Sequence, residues 1–287
     1  MKQPLIEYRL DLGGVRTRVL ELEGQGPPVL LFHGYSDSAD TWRLALDLLA
    51  HHDRRVLAFD LPGFGQASRL ARDEQVLPQL DAFGAAAVLH VAREHGPVVV
   101  GGNSLGGCLA LRLAQDPDLP IVAAVPVAPA GFDHPGWFRA VQSDRLVRLL
   151  LQAPLPAPVF RTVVGEAFRQ LAFAAPRAAR GEVVAAFAQH LTTRRDLRRI
   201  LATGSRMLPE LSMPFRLERI EVPVLLIWGD RDRMVSHTGA RHLLEALPDT
   251  RYELLEHVGH CPQLEVPDRF VDLLLEFAPA TELAATR

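Results

Sequence analysis

Lysine is almost missing from this 287-residue chain: Lys2 is the only one, so all but one of the 31 cationic side chains are arginine. Against 34 acidic residues they leave a net charge of −3, which gives no sign of the basic excess that binding nucleic acid or an anionic bilayer would favour. Cysteine is nearly as scarce. Cys108 and Cys261 lie far apart and make no disulfide framework, so a reduced, cytoplasmic setting is expected. No apolar run approaches the roughly 18 residues of a membrane span, and membrane insertion is not expected. The first nine residues meet charge early, so no secretory leader is expected.

What the chain does have is apolar residues, 48% of the total, enough for one large α/β core. Residues 5–12 and 15–22 alternate apolar and polar around Gly13-Gly14 and read as a hairpin. Continuous apolar runs at 28–33, 55–60, 97–100, 120–127, 223–230 and 251–256 read as strands. Helical patterns fall at 41–50, 79–95, 107–114, 237–247 and 267–277, and the tail 278–287 is expected to be loose. Strands alternating with helices imply a mostly parallel sheet covered on both faces. The alternation stops across 132–219, where helical patches are broken by prolines. The expected organisation is a core of 1–131 and 220–287 with a helical cap inserted at 132–219.

One segment carries the chemistry. Gly102-Asn103-Ser104-Leu105-Gly106 is a G-x-S-x-G pattern between the strand Pro97–Val100 and a helix from Gly107. A sharp strand-to-helix turn puts the Ser104 hydroxyl at its tip, and the glycines allow the tight backbone. The helix start offers free N–H groups, the Leu105 N–H first, where an oxyanion can form. Serine is a weak nucleophile and needs a base, which needs an orienting acid.

The order Ser, then acid, then His follows, and with it the chain resembles the α/β-hydrolase superfamily over nearly its full length. The resemblance implies an α/β-hydrolase fold and a carboxylesterase- or lipase-like activity without cofactor or metal. It makes Asp232, the second aspartate of Gly229-Asp230-Arg231-Asp232, the acid, with Asp230 as the rival that braces the turn. It makes His260 the base, in Gly259-His260-Cys261-Pro262-Gln263-Leu264-Glu265-Val266-Pro267. His257, three residues earlier, does not complete a metal-ligand spacing. In His33-Gly34-Tyr35 it makes the Tyr35 N–H the second oxyanion donor, worth about 3 kcal/mol. His33, Gly34 and Asn103 then support the loops, and Asp60-Leu61-Pro62-Gly63-Phe64-Gly65 serves the fold without chemistry.

A serine nucleophile argues against the dehalogenases and epoxide hydrolases of the superfamily, which use aspartate. The Gly102–Gly107 elbow also resembles that of hydrolases cleaving C–C bonds in ring-opened aromatic diketones. Those follow His-Gly with Gly-Pro-Gly and commonly carry tryptophan after the histidine; here Tyr35-Ser36-Asp37-Ser38 and Cys261 stand instead. A hydrolase-like small-molecule receptor is the third reading. The expected substrate is a small to medium hydrophobic ester, held under cap residues drawn from Phe132, Trp137, Phe138, Leu149, Leu150, Phe160, Phe168, Leu171 and Phe173. Arg194-Arg195-Asp196-Leu197-Arg198-Arg199 reads as a solvated helix face. A monomer or homodimer is expected.

Overall fold

A computed structural model describes residues 2–132, 157–188 and 193–284. The alternating segments form the antiparallel hairpin β1 (Ile6–Leu12) and β2 (Val15–Leu22), in which Leu12 faces Val15. Gly13 and Gly14 between them have φ of 56° and 82°, as a two-residue hairpin turn requires. The remaining strands are β3 (Gln25–Phe32), β4 (Arg54–Phe59), β5 (Val98–Asn103), β6 (Ile121–Val127), β7 (Leu225–Gly229) and β8 (Arg251–Leu255). They form one eight-stranded sheet in the order β1-β2-β4-β3-β5-β6-β7-β8. β2 meets β4 antiparallel, and every pairing from β4 to β8 is parallel.

The helices, in chain order, are α1 (Arg43–Leu49), α2 (Val76–His95), α3 (Leu105–Ala114), α4 (Ala157–Ala172), α5 (Gly181–Ala188), α6 (Arg194–Met207), α7 (Ala240–Ala246), the single turn α8 (Pro262–Glu265) and α9 (Pro267–Ala284). Successive strand residues point to opposite faces. Leu30 and Phe32 therefore pack with α2 and α3, while Val29 and Leu31 pack with α1 and α9. Phe59 against Phe83 anchors one layer, with centroids 6.3 Å apart, and Trp42 against Phe270 anchors the other at 5.6 Å. Between β6 and β7 the described residues hold α4, α5, α6 and short 3-10 turns, with no strand among them.

Among the boundaries that differ from the sequence reading are the end of α9 and the start of α2. α9 continues through Ala284, past Pro279, where a loose tail from 278 was expected. α2 starts at Val76, three residues early. Gln75 before it makes no side-chain cap, but the Val76 and Leu77 N–H groups both donate to the Glu210 carboxylate at 2.8 Å. An anion supplied from elsewhere in the chain satisfies that helix start, which no local pattern announces.

Candidate functional site

The loops after β3, β5, β7 and β8 gather at the carboxyl ends of the parallel strands, where open α/β sheets form their crevice. Ser104 stands alone between β5 and α3 with φ 56° and ψ −112°. A non-glycine residue held there costs about 1–3 kcal/mol and needs surroundings that impose it. Three backbone bonds do so: the Ser104 N–H donates to the Val127 carbonyl at 2.9 Å, and its carbonyl accepts from Cys108 and Ala130 at 2.9 and 3.0 Å. A Cβ added at Gly106 would lie 2.0 Å from the Phe32 carbonyl oxygen, and one at Gly102 2.4 Å from the Gly106 backbone, so only glycine fits either place. Leu105 is the first residue of α3, and its N–H has no carbonyl one turn back.

The loop after β3 is fixed by its histidine. The Leu61 N–H donates to His33 Nε2 at 2.9 Å, so the ring carries its proton at Nδ1, which donates to the Gly34 carbonyl at 2.7 Å. Both bonds are buried, and they set the path into Tyr35. A Cβ on Gly34 would sit 3.4 Å from Ser104 Cβ. The Tyr35 hydroxyl donates to the Ile200 carbonyl of α6, and burial raises its pKa. Asp60 braces the same loop from below, accepting from Ala39 N–H at 2.7 Å, Gln66 N–H at 2.8 Å and the buried Arg18 guanidinium at 3.0 Å.

Asp232 and His260 meet directly: Nδ1 lies 2.7 Å from Oδ2, with the aspartate side chain fully buried and that of the histidine 3% exposed. A carboxylate can only accept, so Nδ1 is the donor and the neutral ring presents its lone pair at Nε2. The Asp232 carboxylate also accepts from the Trp228 indole at 3.1 Å and from the Met234 and Val235 N–H groups at 2.7 and 2.9 Å. Among the described residues the Asp230 side chain takes only the Val258 N–H, at 3.3 Å. Asn103 joins the elbow to the histidine loop, its amide donating to the His260 carbonyl at 2.9 Å. His257 is exposed, away from the buried His260.

Three residues at this site carry roles that the sequence reading did not assign. Trp228 supplies an indole donor to Asp232. Glu265 accepts from the Gly259 N–H and the Ala174 N–H, both at 2.8 Å, while the His260 N–H donates to the Ala172 carbonyl at 2.7 Å. The end of α4 is thereby fastened to the histidine loop. The third is Asp37, 8% exposed, whose carboxylate accepts from the Ser38 N–H at 2.8 Å. These contacts depend on turn geometry or on partners from another part of the fold, and no sequence pattern announces them.

Ser104 and His260 line one cavity of about 190 Å³. Its other walls are mostly apolar: Val164, Phe168 and Leu171 from α4, Phe187 from α5, and Ile200 and Leu201 from α6. Of the other aromatics expected there, Phe132 instead packs tilted against Phe215 at 4.7 Å, and Phe173 packs edge-on against Phe168 at 5.6 Å. Trp137, Phe138, Leu149 and Leu150 lie outside the described residues, as does the Phe160 side chain. On α6, Arg195 and Arg198 are exposed.

Asp37 gives a pH prediction. Burial, with Asp40 and Asp60 nearby, pushes its carboxyl up from 3.8 to about 7. Between those values the folded protein keeps a proton that the unfolded chain has released. Stability therefore falls as pH rises through that window, by on the order of 4 kcal/mol in all. Asp37→Asn keeps the acceptor oxygen and removes this penalty. Its melting temperature is expected to exceed the native one at pH 8, with the gap closing below pH 4; equal values at pH 8 would contradict the assignment.

The model of the Alpha/beta hydrolase family matches residues 29–273. A pimeloyl-[acyl-carrier protein] methyl ester esterase of Vibrio cholerae is 28% identical over 259 residues, covering 90% of this chain and 96% of the relative. An uncharacterized protein of Mycobacterium bovis is 30% identical over 299 residues, covering 98% of this chain and 83% of the relative. Among solved structures, a putative lipase from Acinetobacter baumannii superposes with a TM-score of 0.78 at 22% identity, over 98% of this chain and 93% of the other. A 2-hydroxy-6-oxo-6-phenylhexa-2,4-dienoate hydrolase from Rhodococcus does so with a TM-score of 0.78 at 22% identity, over 96% and 98%. The eight-stranded sheet and the match along most of the chain agree: this protein belongs to the alpha/beta hydrolase family.

Proposed function

We propose that the protein hydrolyses carboxylic esters of small to medium hydrophobic substrates through a Ser104–His260–Asp232 triad and an acyl-enzyme. The observation that carries this is the 2.7 Å His260–Asp232 bond beside a strained serine lining the same apolar cavity. The methyl ester esterase among the relatives supports the bond type. Ser104 Oγ attacks the ester carbonyl while His260 Nε2 takes its proton, and Asp232 stabilises the imidazolium. The carbonyl oxygen becomes an oxyanion that accepts from the Leu105 and Tyr35 N–H groups. The tetrahedral intermediate collapses, the alcohol leaves with the proton from His260, and the acyl group stays on Ser104. Water, deprotonated by His260, then releases the acid and restores the serine.

The helices between β6 and β7 act as the cap of this site. Their side chains form most of the apolar wall, and the bonds from Glu265 and His260 to residues 172–174 keep one end of the cap in register with the base. An apolar wall selects by acyl length, since each buried methylene contributes about 0.8 kcal/mol. Across p-nitrophenyl acetate, butyrate and octanoate, kcat/KM is expected to rise from acetate to butyrate by about tenfold. No preference above acetate would contradict the apolar acyl site. A ring-opened dienoic diketone run alongside tests C–C hydrolysis; cleavage of it exceeding all esters would replace the ester reading.

A further inference from the structure

Tyr35 has two polar ends. Its N–H is the second oxyanion donor in the reaction proposed for Ser104. Its hydroxyl crosses to the helices between β6 and β7, where it donates to the Ile200 carbonyl of α6 and takes a backbone bond from Gly204, four residues on. In a regular helix the carbonyl of residue 200 accepts from the N–H of residue 204, so the phenol oxygen sits on one rung of α6. The ring between the two ends is held as well: Phe64 meets it edge-on at 5.6 Å, and Tyr35 packs against the buried Ile200. Ile200 and Leu201 also line the Ser104–His260 cavity. The turn of α6 that takes the Tyr35 hydroxyl is therefore the turn that an acyl group would meet. The peptide joined to Tyr35 is strained. Ser36 is buried and has φ 63°. A non-glycine residue there costs about 1–3 kcal/mol and stays only where its surroundings impose it. His33 and Asp60 brace this loop from below, and the Tyr35 hydroxyl ties it to α6 above.

We propose that the Tyr35 hydroxyl is a positioning group for the reaction: bonded to α6 at Ile200, it holds the loop after β3 so that the Tyr35 N–H points at the developing oxyanion, and full transition-state stabilisation then requires α6 to be seated. The inference rests on the reading of Ser104 as an ester-hydrolysing nucleophile with the Tyr35 N–H as an oxyanion donor. Such a donor acts on the charge that grows on the carbonyl oxygen and does less for the neutral ester, so misaiming it lowers kcat more than it weakens binding. Deleting one donor costs about 10²–10³ in rate; freeing the loop that carries it should cost less, about tenfold. A phenol that merely filled space would be replaced by phenylalanine with no change in kcat.

Tyr35→Phe removes one oxygen and keeps the ring, and two measurements on it test the proposal. In the first, kcat for p-nitrophenyl butyrate is expected to fall about tenfold with KM within about twofold of native. Propylboronic acid supplies the matching inhibitor: Ser104 Oγ bonds to boron, the serine proton passes to His260, and the adduct is tetrahedral. Its affinity is expected to fall about tenfold in Tyr35→Phe, while p-nitrophenyl butyrate titrated calorimetrically into Ser104→Ala binds equally with and without the second change. An unchanged kcat, or boronate and ester affinities that fall together, overturns the proposal; the latter would make the hydroxyl a support for the pocket wall. In the second, amide hydrogen exchange is followed by mass spectrometry. Tyr35→Phe is expected to speed exchange in peptides covering 34–38 and 200–204 and to leave the central strands as protected as before. Equal exchange in both peptides overturns the tether whether or not the protein turns over esters. Native protein that neither turns over an ester nor forms the boronate adduct defeats the ester reading alone, and the exchange measurement still decides whether Tyr35 holds the loop to α6.

Discussion

Ser104→Ala is expected to lower kcat for p-nitrophenyl butyrate by about 10⁵–10⁶ while leaving the fold intact, because a serine nucleophile and its base act as one unit. The bonds that hold position 104 are all from its backbone, to Val127, Cys108 and Ala130, and alanine keeps each of them. The change removes one oxygen from the cavity wall, so stability should move by no more than about 0.5 kcal/mol. Initial rates and a urea melt on the same preparations check both halves. A variant that unfolds early would say nothing of chemistry, which is why the melt belongs with the assay. Near-native turnover in a folded variant would remove Ser104 from the mechanism.

Asp232→Asn is expected to cost about 10⁴ in kcat, through the tautomer of His260 rather than through packing. The native Oδ2 accepts from Nδ1 at 2.7 Å and from the Trp228 indole at 3.1 Å, while Oδ1 accepts from Met234 and Val235. Three of these four donors are N–H groups that cannot reverse, and the imidazole can. An asparagine that keeps its oxygen toward Met234 and Val235 turns its NH₂ toward Nδ1. The ring proton then moves to Nε2, where a lone pair is needed to accept from Ser104. Asp230→Asn, whose native contact is one N–H at 3.3 Å, is expected to change kcat by less than about tenfold. Steady-state kinetics on the pair decide it; the opposite order of losses would move the acid to Asp230.

The sheet was readable from sequence because its parallel strands are buried on both faces and appear as unbroken runs such as Val98-Val99-Val100 and Leu225-Leu226-Ile227. The elbow was readable because glycine is forced there by backbone contacts, and such contacts recur wherever this turn is built. The choice of Asp232 over Asp230 came from resemblance: two aspartates two residues apart look alike until the fold shows which one faces His260. Glu265 and Glu210 were out of reach because the tertiary fold brings them to Ala174 and to the start of α2, and Trp228 because only the turn after β7 aims its indole at Asp232, four residues on. Local periodicity carries no trace of such pairings. The composition of 132–219 announced apolar side chains but not their division: Phe168 and Leu171 face the cavity, while Phe132 and Phe173 pack elsewhere.

The most direct test of the central claim is to label the native protein with diisopropyl fluorophosphate, follow residual p-nitrophenyl butyrate hydrolysis, and map the adduct by peptide mass spectrometry. The account predicts a single phosphoryl adduct on Ser104, formed with loss of fluoride and in proportion to lost activity, and no adduct in His260→Ala. Full activity with Ser104 labelled, or lost activity with the adduct on another residue, would contradict it.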